Sequence, residues 1–432
     1  MDHLPVSMVL LTLSALLGIA GYAGEIPTPV APANPNIHLR GDFVNCRLRF
    51  EREKKGHVAF IGGSITEMNG YRPMICEMLK KHFPQTEFTF TDAGIASTCS
   101  TTGAFRLESD VLSKGPVDLF FVEFAVNDDQ DAHHTRQECI RGMEGIVRHC
   151  LKHNPAMDIV FTYFVNPEMV EIIKSGKTPL PIAAHEEVAA HYGISTVNLA
   201  QEVTEQIQAG KLTWEKFGGT HPAPFGNAIC ASMIEEMLSA AWKTQGGSAG
   251  ASPSRVPVVP RLASPAVSSG GTVGQADRGT EAPSLPKPLD PLNYANGRFI
   301  DPAKAQVKSG WTLGVPEWKK LKGACRDRFL KVPILSAEEP GAELTLAFSG
   351  TAIGAYVLAG PDAGIIEASI DGAGFKAVEL LHAFSGGLHY PRTVMFDADL
   401  APGDHTLRLR VADQKNPRSS GHAARIIAFA AN

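Results

Sequence analysis

The chain has 432 residues, too many for one ordinary domain, so two domains with targeting or connecting segments are expected. Its 40 Lys and Arg against 45 Asp and Glu give a formal charge of -5, which offers a phosphate backbone no basic surface and argues against nucleic acid as a partner. Seven cysteines, at 46, 76, 99, 139, 150, 230 and 325, show no CxxC spacing, which argues against zinc ribbons and thioredoxin-like redox motifs.

The apolar run MVLLTLSALLGIA, Met8 to Ala20, is short for a bilayer span and is followed by small residues suited to cleavage after Ala23 or Gly24. Residues 1–24 are read as a signal peptide, although MDHLP carries no Lys or Arg. The protein is then secreted or periplasmic, with no stable membrane association once the signal is removed.

Between Gly56 and Trp242 short apolar runs alternate with helical patterns. HVAFI (57–61), TEFTFTD (86–92), VDLFFVEF (117–124), DIVFTYFV (158–165) and ISTVNL (194–199) read as strands. Helices are expected at Tyr71 to His82, Thr102 to Leu112, Thr135 to His153 and Pro181 to His191. In the third, Ile140, Met143, Val147 and Leu151 recur at helical spacing. This order implies an α/β domain over 25–243, a parallel sheet with helices on both faces and ligands bound beyond the carboxyl ends of its strands.

Residues 244–290 are rich in Ser, Gly, Pro and Ala, lack periodicity and read as a linker. From 291 to 432 the runs AELTLAF, AIGAYVLA, IIEASI, RTVMFDA, HTLRLRV and ARIIAFA follow one another without helices, which indicates an antiparallel β-sandwich. A linker of this kind implies that the first domain works on small substrates without the second.

FIGGSIT places Ser64 after the first strand, DAGIASTCS places Gly94 and Ser97 after the second, and FAVNDD places Asn127 after the third. Parallel strands deliver these loops to one edge of the sheet, where GGTHPAPFGN adds His221. A serine hydroxyl needs a base, and neutral His serves near neutral pH. The oxyanion needs fixed donors, which the backbone amides of Ser64 and Ser97 and the amide of Asn127 can supply.

These four blocks resemble those of the SGNH hydrolases, the GDSL-type esterase and lipase superfamily, over about Arg47 to Trp242. The resemblance implies a flavodoxin-like α/β fold, Ser64 as nucleophile, His221 as base, and Ser64, Ser97 and Asn127 as the oxyanion hole. The sequence departs from the family at Gly63, at Asp92 and Ser97 in the second block, at Ala125, and above all at Gly218, where the family usually carries the Asp that orients the His. Either Glu215 or the Gly218 carbonyl is then left to orient His221.

NDDQDAHH, Asn127 to His134, is either a metal-ligand set or a polar rim; the rim reading gives Gly94, Asp128, His133 and His134 to the substrate's hydroxyls. Serine chemistry calls for no metal and no cofactor. Trp311, Trp318, Tyr356, His389, Tyr390 and Arg392 form either a sugar platform or, more simply, core. LAPGDHTLRLRV with SIDG upstream is similar to galactose-binding-like jelly rolls appended to carbohydrate-active enzymes. The expected function is removal of O-acetyl groups from a polysaccharide or oligosaccharide. A general small-acyl esterase or lipase, and a carbohydrate-binding protein with a degenerate hydrolase domain, are the alternatives.

Overall fold

The computed structural model describes residues 32–243 and 285–432. The signal peptide assigned to 1–24, and the linker up to residue 284, lie outside the described residues.

The first domain is a six-stranded sheet of β1 (Ile37–His38), β2 (Lys55–Gly62), β3 (Glu87–Gly94), β4 (Leu119–Glu123), β5 (Asp158–Thr162) and β6 (Ser195–Val197). The order is β1-β6-β5-β4-β2-β3, with every pair parallel except β1, which runs antiparallel to β6 at the edge. Successive residues of a strand face opposite sides, and every residue of β4 is buried, so both faces are covered. The covering helices are α1 (Val44–Leu48), α2 (Ser64–Glu67), α3 (Tyr71–His82), α4 (Ser100–Asp110), α5 (Arg136–His153), α6 (Pro167–Lys174), α7 (Leu180–Tyr192), α8 (Leu199–Gln208), α9 (Trp214–Phe217) and α10 (Pro224–Lys243). The packing of α5 on α4 and α7 makes one layer, and that of α10 on α3 and α8 belongs to another. Thr135, expected to be helical, instead caps α5 in a reciprocal box with Glu138. Among the described residues no helix is long and apolar enough to cross a membrane.

The second domain has two antiparallel sheets. One runs β15 (Tyr390–Asp397), β12 (Ile353–Ala359), β17 (Ala424–Ala431), β10 (Ile334–Ala337), β9 (Thr312–Gly314), with β7 (Arg298–Ile300) also on β17. The other runs β14 (Lys376–Glu379), β13 (Ile365–Ile370), β16 (Gly403–Val411), β11 (Glu343–Gly350), β8 (Gln306–Ser309). Leu344, Leu346, Ile366, Leu407 and Leu409 fill the space between them with Val357 and Ile426. Trp311 is buried in that core, Tyr356 is buried in a cluster that includes Ile95 of the first domain, His389 and Tyr390 are buried as well, and Trp318 and Arg392 are partly exposed.

The two domains do not behave as beads on a string. Tyr294, Ala352 and Ala430 belong to the same buried cluster as the parallel sheet, and the Tyr294 ring lies 4.9 Å from that of Phe105 on α4. A Cβ on Gly145 of α5 would stand 2.7 Å from the Tyr294 backbone, so glycine is required for this approach. Arg141 donates to the Ala398 carbonyl at 3.1 Å and to Asp399 at 2.7 Å. The linker also ends earlier than residue 290: Glu144 accepts from the backbone of Leu289 at 2.6 Å and of Asp290 at 2.9 Å, and Arg141 holds the Asp290 carboxylate at 2.8 Å. Buried carboxylate and guanidinium partners on α5 anchor what composition alone marks as flexible.

Candidate active site

Strand β2 ends at Gly62, and Gly63 leads into α2, which Ser64 opens. Both glycines are needed by close approach: a Cβ at 62 would lie 2.2 Å from Thr66 Oγ1, and one at 63 only 2.0 Å from Asn127 Oδ1. The amide of Asn127, in the turn that follows β4, can therefore abut the serine turn. His221 arrives from the loop between α9 and α10, and its Nε2 stands 2.7 Å from Ser64 Oγ. Asn227 on α10 fixes that loop, donating to the Pro222 carbonyl at 2.6 Å while its Oδ1 accepts from Tyr71 N at 2.9 Å. Asn227 closes the GGTHPAPFGN stretch, but without the fold its anchoring role has no signal.

Gly218 ends α9 at φ 106°, and a Cβ there would fall 2.0 Å from Ala223 N. The position that carries the family's acid thus has no room for any side chain. Glu215 is exposed on α9. Among the described residues neither Glu215 nor the Gly218 carbonyl is hydrogen-bonded to His221.

Ser97 takes the left-handed conformation, φ 72°, at the place where the resemblance expects glycine. Asn127 is 2 % exposed and its Nδ2 donates to Asp131 Oδ2 at 2.6 Å. Behind them Arg106, 1 % exposed, donates to the Ala93 carbonyl at 2.6 Å and the Gly62 carbonyl at 3.0 Å, so one guanidinium ties the ends of β2 and β3.

The rim assignment fails for most of its members. Asp128 is fully buried: it accepts from Ser100 N at 2.8 Å, from Ser100 Oγ at 2.7 Å and from His185 Nε2 at 2.8 Å, with His134 Nδ1 at 3.3 Å. Burial opposes its charge, but His134 and His185 outweigh that and hold the carboxyl below the usual range. Gly94 is buried under α2, where a Cβ would stand 2.3 Å from Glu67 N. His134 is half-buried and bound to Asp128, which leaves His133 as the exposed member. Cys99, Asp128 and His134, and likewise Asp128, Cys139 and His185, bring donor atoms within 4.8 Å of one another. The Asp128 oxygens are already occupied by these donors, so the cluster is a hydrogen-bond hub that orders the Asn127 loop. All seven cysteines are unpaired.

Glu123, the last residue of β4, is fully buried; Thr66 Oγ1 reaches its Oε2 at 3.3 Å, and its Oε1 has no partner. Burial raises its carboxyl from 4.5 to about 8, with Thr66 and Gly63 pulling weakly the other way. The folded state therefore binds a proton that the unfolded chain releases above 4.5. Its stabilising contribution is fully present below that value and is lost as pH rises through about 8. The urea midpoint should fall between pH 5 and 8, and Glu123→Gln should flatten the slope. Asp158, raised to about 7 by burial, has the same sign, so part of the slope persists.

Four side chains of the second domain reach this site; sequence marks Tyr390 only as platform or core and gives no signal for the other three. Arg326 donates to the Ala96 carbonyl at 2.7 Å and to Ser97 Oγ at 2.8 Å; Arg328 donates to Glu67 at 2.7 Å and to the Gly94 carbonyl at 3.1 Å. Tyr390 donates its hydroxyl to Asp131 Oδ1 at 2.6 Å, and His382 Nε2 lies 2.7 Å from the Asp131 carbonyl.

Residues 60–229 match the model of the GDSL-like lipase/acylhydrolase family, so the chain carries a domain of that type. No curated protein matches the chain significantly. Among solved structures, a two-domain esterase active on acetylated mannans is similar over 91 % of this chain and 96 % of its own, with TM-score 0.67 and 21 % identity. The same description applies to a crystal of such an esterase with mannopentaose, at TM-score 0.67 and 20 % identity. An acetylxylan esterase from Geobacillus stearothermophilus overlaps 42 % of this chain and 94 % of its own, with TM-score 0.33 and 17 % identity. The likeness to the two-domain structures shows that the α/β domain and the β-sandwich together form a known arrangement.

Proposed function

We propose that this chain, an ester hydrolase by its GDSL-type domain, is a secreted or periplasmic serine esterase that removes acetyl groups from a polysaccharide. The observation that carries the chemistry is the 2.7 Å contact between Ser64 Oγ and His221 Nε2 at the carboxyl edge of a parallel sheet. His221 takes the Ser64 proton as Oγ attacks the acetyl carbonyl. The backbone amides of Ser64 and Ser97 and the free N–H of Asn127 receive the oxyanion. His221 then returns the proton to the departing sugar oxygen, and water repeats the sequence on the acetyl-enzyme. The domains are assigned as catalytic from 25 to 243 and as a jelly-roll sandwich from 291.

The carbohydrate assignment draws on the sandwich and on the two-domain mannan esterases of the same architecture. Release of acetate from acetylated mannan, xylan and pectin, with Ser64→Ala as control, tests it. Turnover of small acetyl esters with none of these polymers would favour a general esterase. Polymer binding without hydrolysis would favour a degenerate binding protein.

We read Ser64 and His221 as a dyad. Glu215 is exposed and unbonded to His221, so Glu215→Gln is expected to lower kcat less than about tenfold, against about ten-thousandfold for loss of a triad acid. A loss near the larger figure would make Glu215 a third member.

A further inference from the structure

We propose that the C-terminal sandwich sets the oxyanion hole of the first domain, with Tyr390 and Arg326 as positioning residues; this rests on the reading of Asn127 and Ser97 as oxyanion donors.

The amide of Asn127 is symmetric in shape but not in chemistry. Its Nδ2 faces the Asp131 carboxylate at 2.6 Å, and a carboxylate only accepts, so the NH2 end must lie on that side. The flipped amide would set two oxygens against each other. Asp131 thus decides which way round Asn127 lies, and one N–H of Nδ2 is left for the substrate. The Asn127 oxygen has no partner of its own to oppose a flip, being buried against Gly63. Orientation therefore depends on Asp131 alone, and Asp131 is held from the other domain. Tyr390 donates to its second carboxylate oxygen at 2.6 Å and His382 approaches its backbone carbonyl at 2.7 Å. The rings of His382 and Tyr390 stack at 4.2 Å with 12° between planes, so the two contacts move as one body.

The second donor is held by the same domain. A residue with a Cβ is unfavourable at φ 72°, and Ser97 has no glycine's freedom to adopt it unaided. Arg326 grips it with both arms of its guanidinium, one on the Ala96 carbonyl at 2.7 Å and one on Ser97 Oγ at 2.8 Å. The Tyr390 hydroxyl also lies beside the Ser97 side chain, so the two supports meet. If these contacts were only glue between domains, they would affect stability and not the transition state.

The test uses the full chain with 4-nitrophenyl acetate, a substrate too small to need a polymer cleft. Tyr390→Phe should lower kcat by about tenfold or more with KM within about twofold, because a displaced donor acts in the transition state. With Asn127→Ala already present, Tyr390→Phe should add nothing further, the signature of residues acting through one another. Thr393→Val removes another interdomain bond, Thr102 Oγ1 to Thr393 Oγ1 at 2.9 Å, and should leave kcat unchanged. Arg326→Lys should lower kcat as well, and Ser97→Gly should restore it, since glycine takes the left-handed conformation without help. This rescue serves even if Tyr390→Phe fails to fold. An additive loss in the Asn127→Ala background, an equal loss in Thr393→Val, or no rescue by Ser97→Gly would overturn the proposal. Wild-type kcat in Asn127→Ala would instead sink the oxyanion reading on which it stands.

Discussion

Ser64→Ala is expected to lower kcat by about a millionfold, the scale seen when a serine nucleophile that works as a unit with its base is removed. The loss should leave KM and the melting temperature nearly unchanged. Ser64 is half-buried in a turn, and its Oγ bonds only His221 among the described residues, so the core loses no packing when it goes. Acetate release measured on purified, folded variant checks this. A residual rate within tenfold of the wild type would remove Ser64 from the mechanism and leave the 2.7 Å contact as a surface hydrogen bond.

Deleting the chain after Trp242 is expected to cost at least about a hundredfold in kcat even on 4-nitrophenyl acetate, the scale of one lost oxyanion donor. The linker composition argues for the opposite, a catalytic domain that keeps its small-ester activity alone. The interface decides between them. Truncation removes Arg326 from Ser97 and Tyr390 from Asp131, and it strips Tyr294 from the pocket formed by Phe105 and Gly145. Uncovered apolar surface on α4 and α5 would add loss of solubility. A soluble truncated protein with wild-type kcat would show that the first domain shapes its own site.

The alternation of strands and helices is legible because burial imposes it: β4 is apolar throughout, and α3 falls at the residues its pattern marks. Ser64 can be placed at the carboxyl edge from sequence because it follows a parallel strand, whereas His221 lies between two helices and is paired with it only through the resemblance of the four blocks. Shorter elements escape. β1 is two residues long, and β7 to β10 carry too few residues to show a period. The rim assignment of Asp128 fails because a carboxylate in a polar run looks solvated, whereas His185, fifty-seven residues away in sequence, is what takes it into the interior. Asp131 lies in that same run, yet its partner Tyr390 is 259 residues away, beyond any local signal. Gly218 is legible as a departure, but the reason for it, the contact with Ala223, requires the folded turn.

The shared apolar cluster that joins Tyr294, Ala352 and Ala430 to the parallel sheet has a consequence for how the molecule comes apart. A chain whose two halves own separate cores and share no apolar contact melts in two steps, each half at its own temperature. Here β7 and β15 pack on α4, and Ala430 of the last strand, β17, joins the same apolar cluster, so the first half cannot reach its final packing until the end of the chain has been made. Folding must couple contacts separated by most of the sequence, which slows it and makes the native state cooperative across both halves. The sandwich is then no cassette to be exchanged for another binding module. A substitution deep within it registers as heat sensitivity of the esterase, far from any residue that touches the ester.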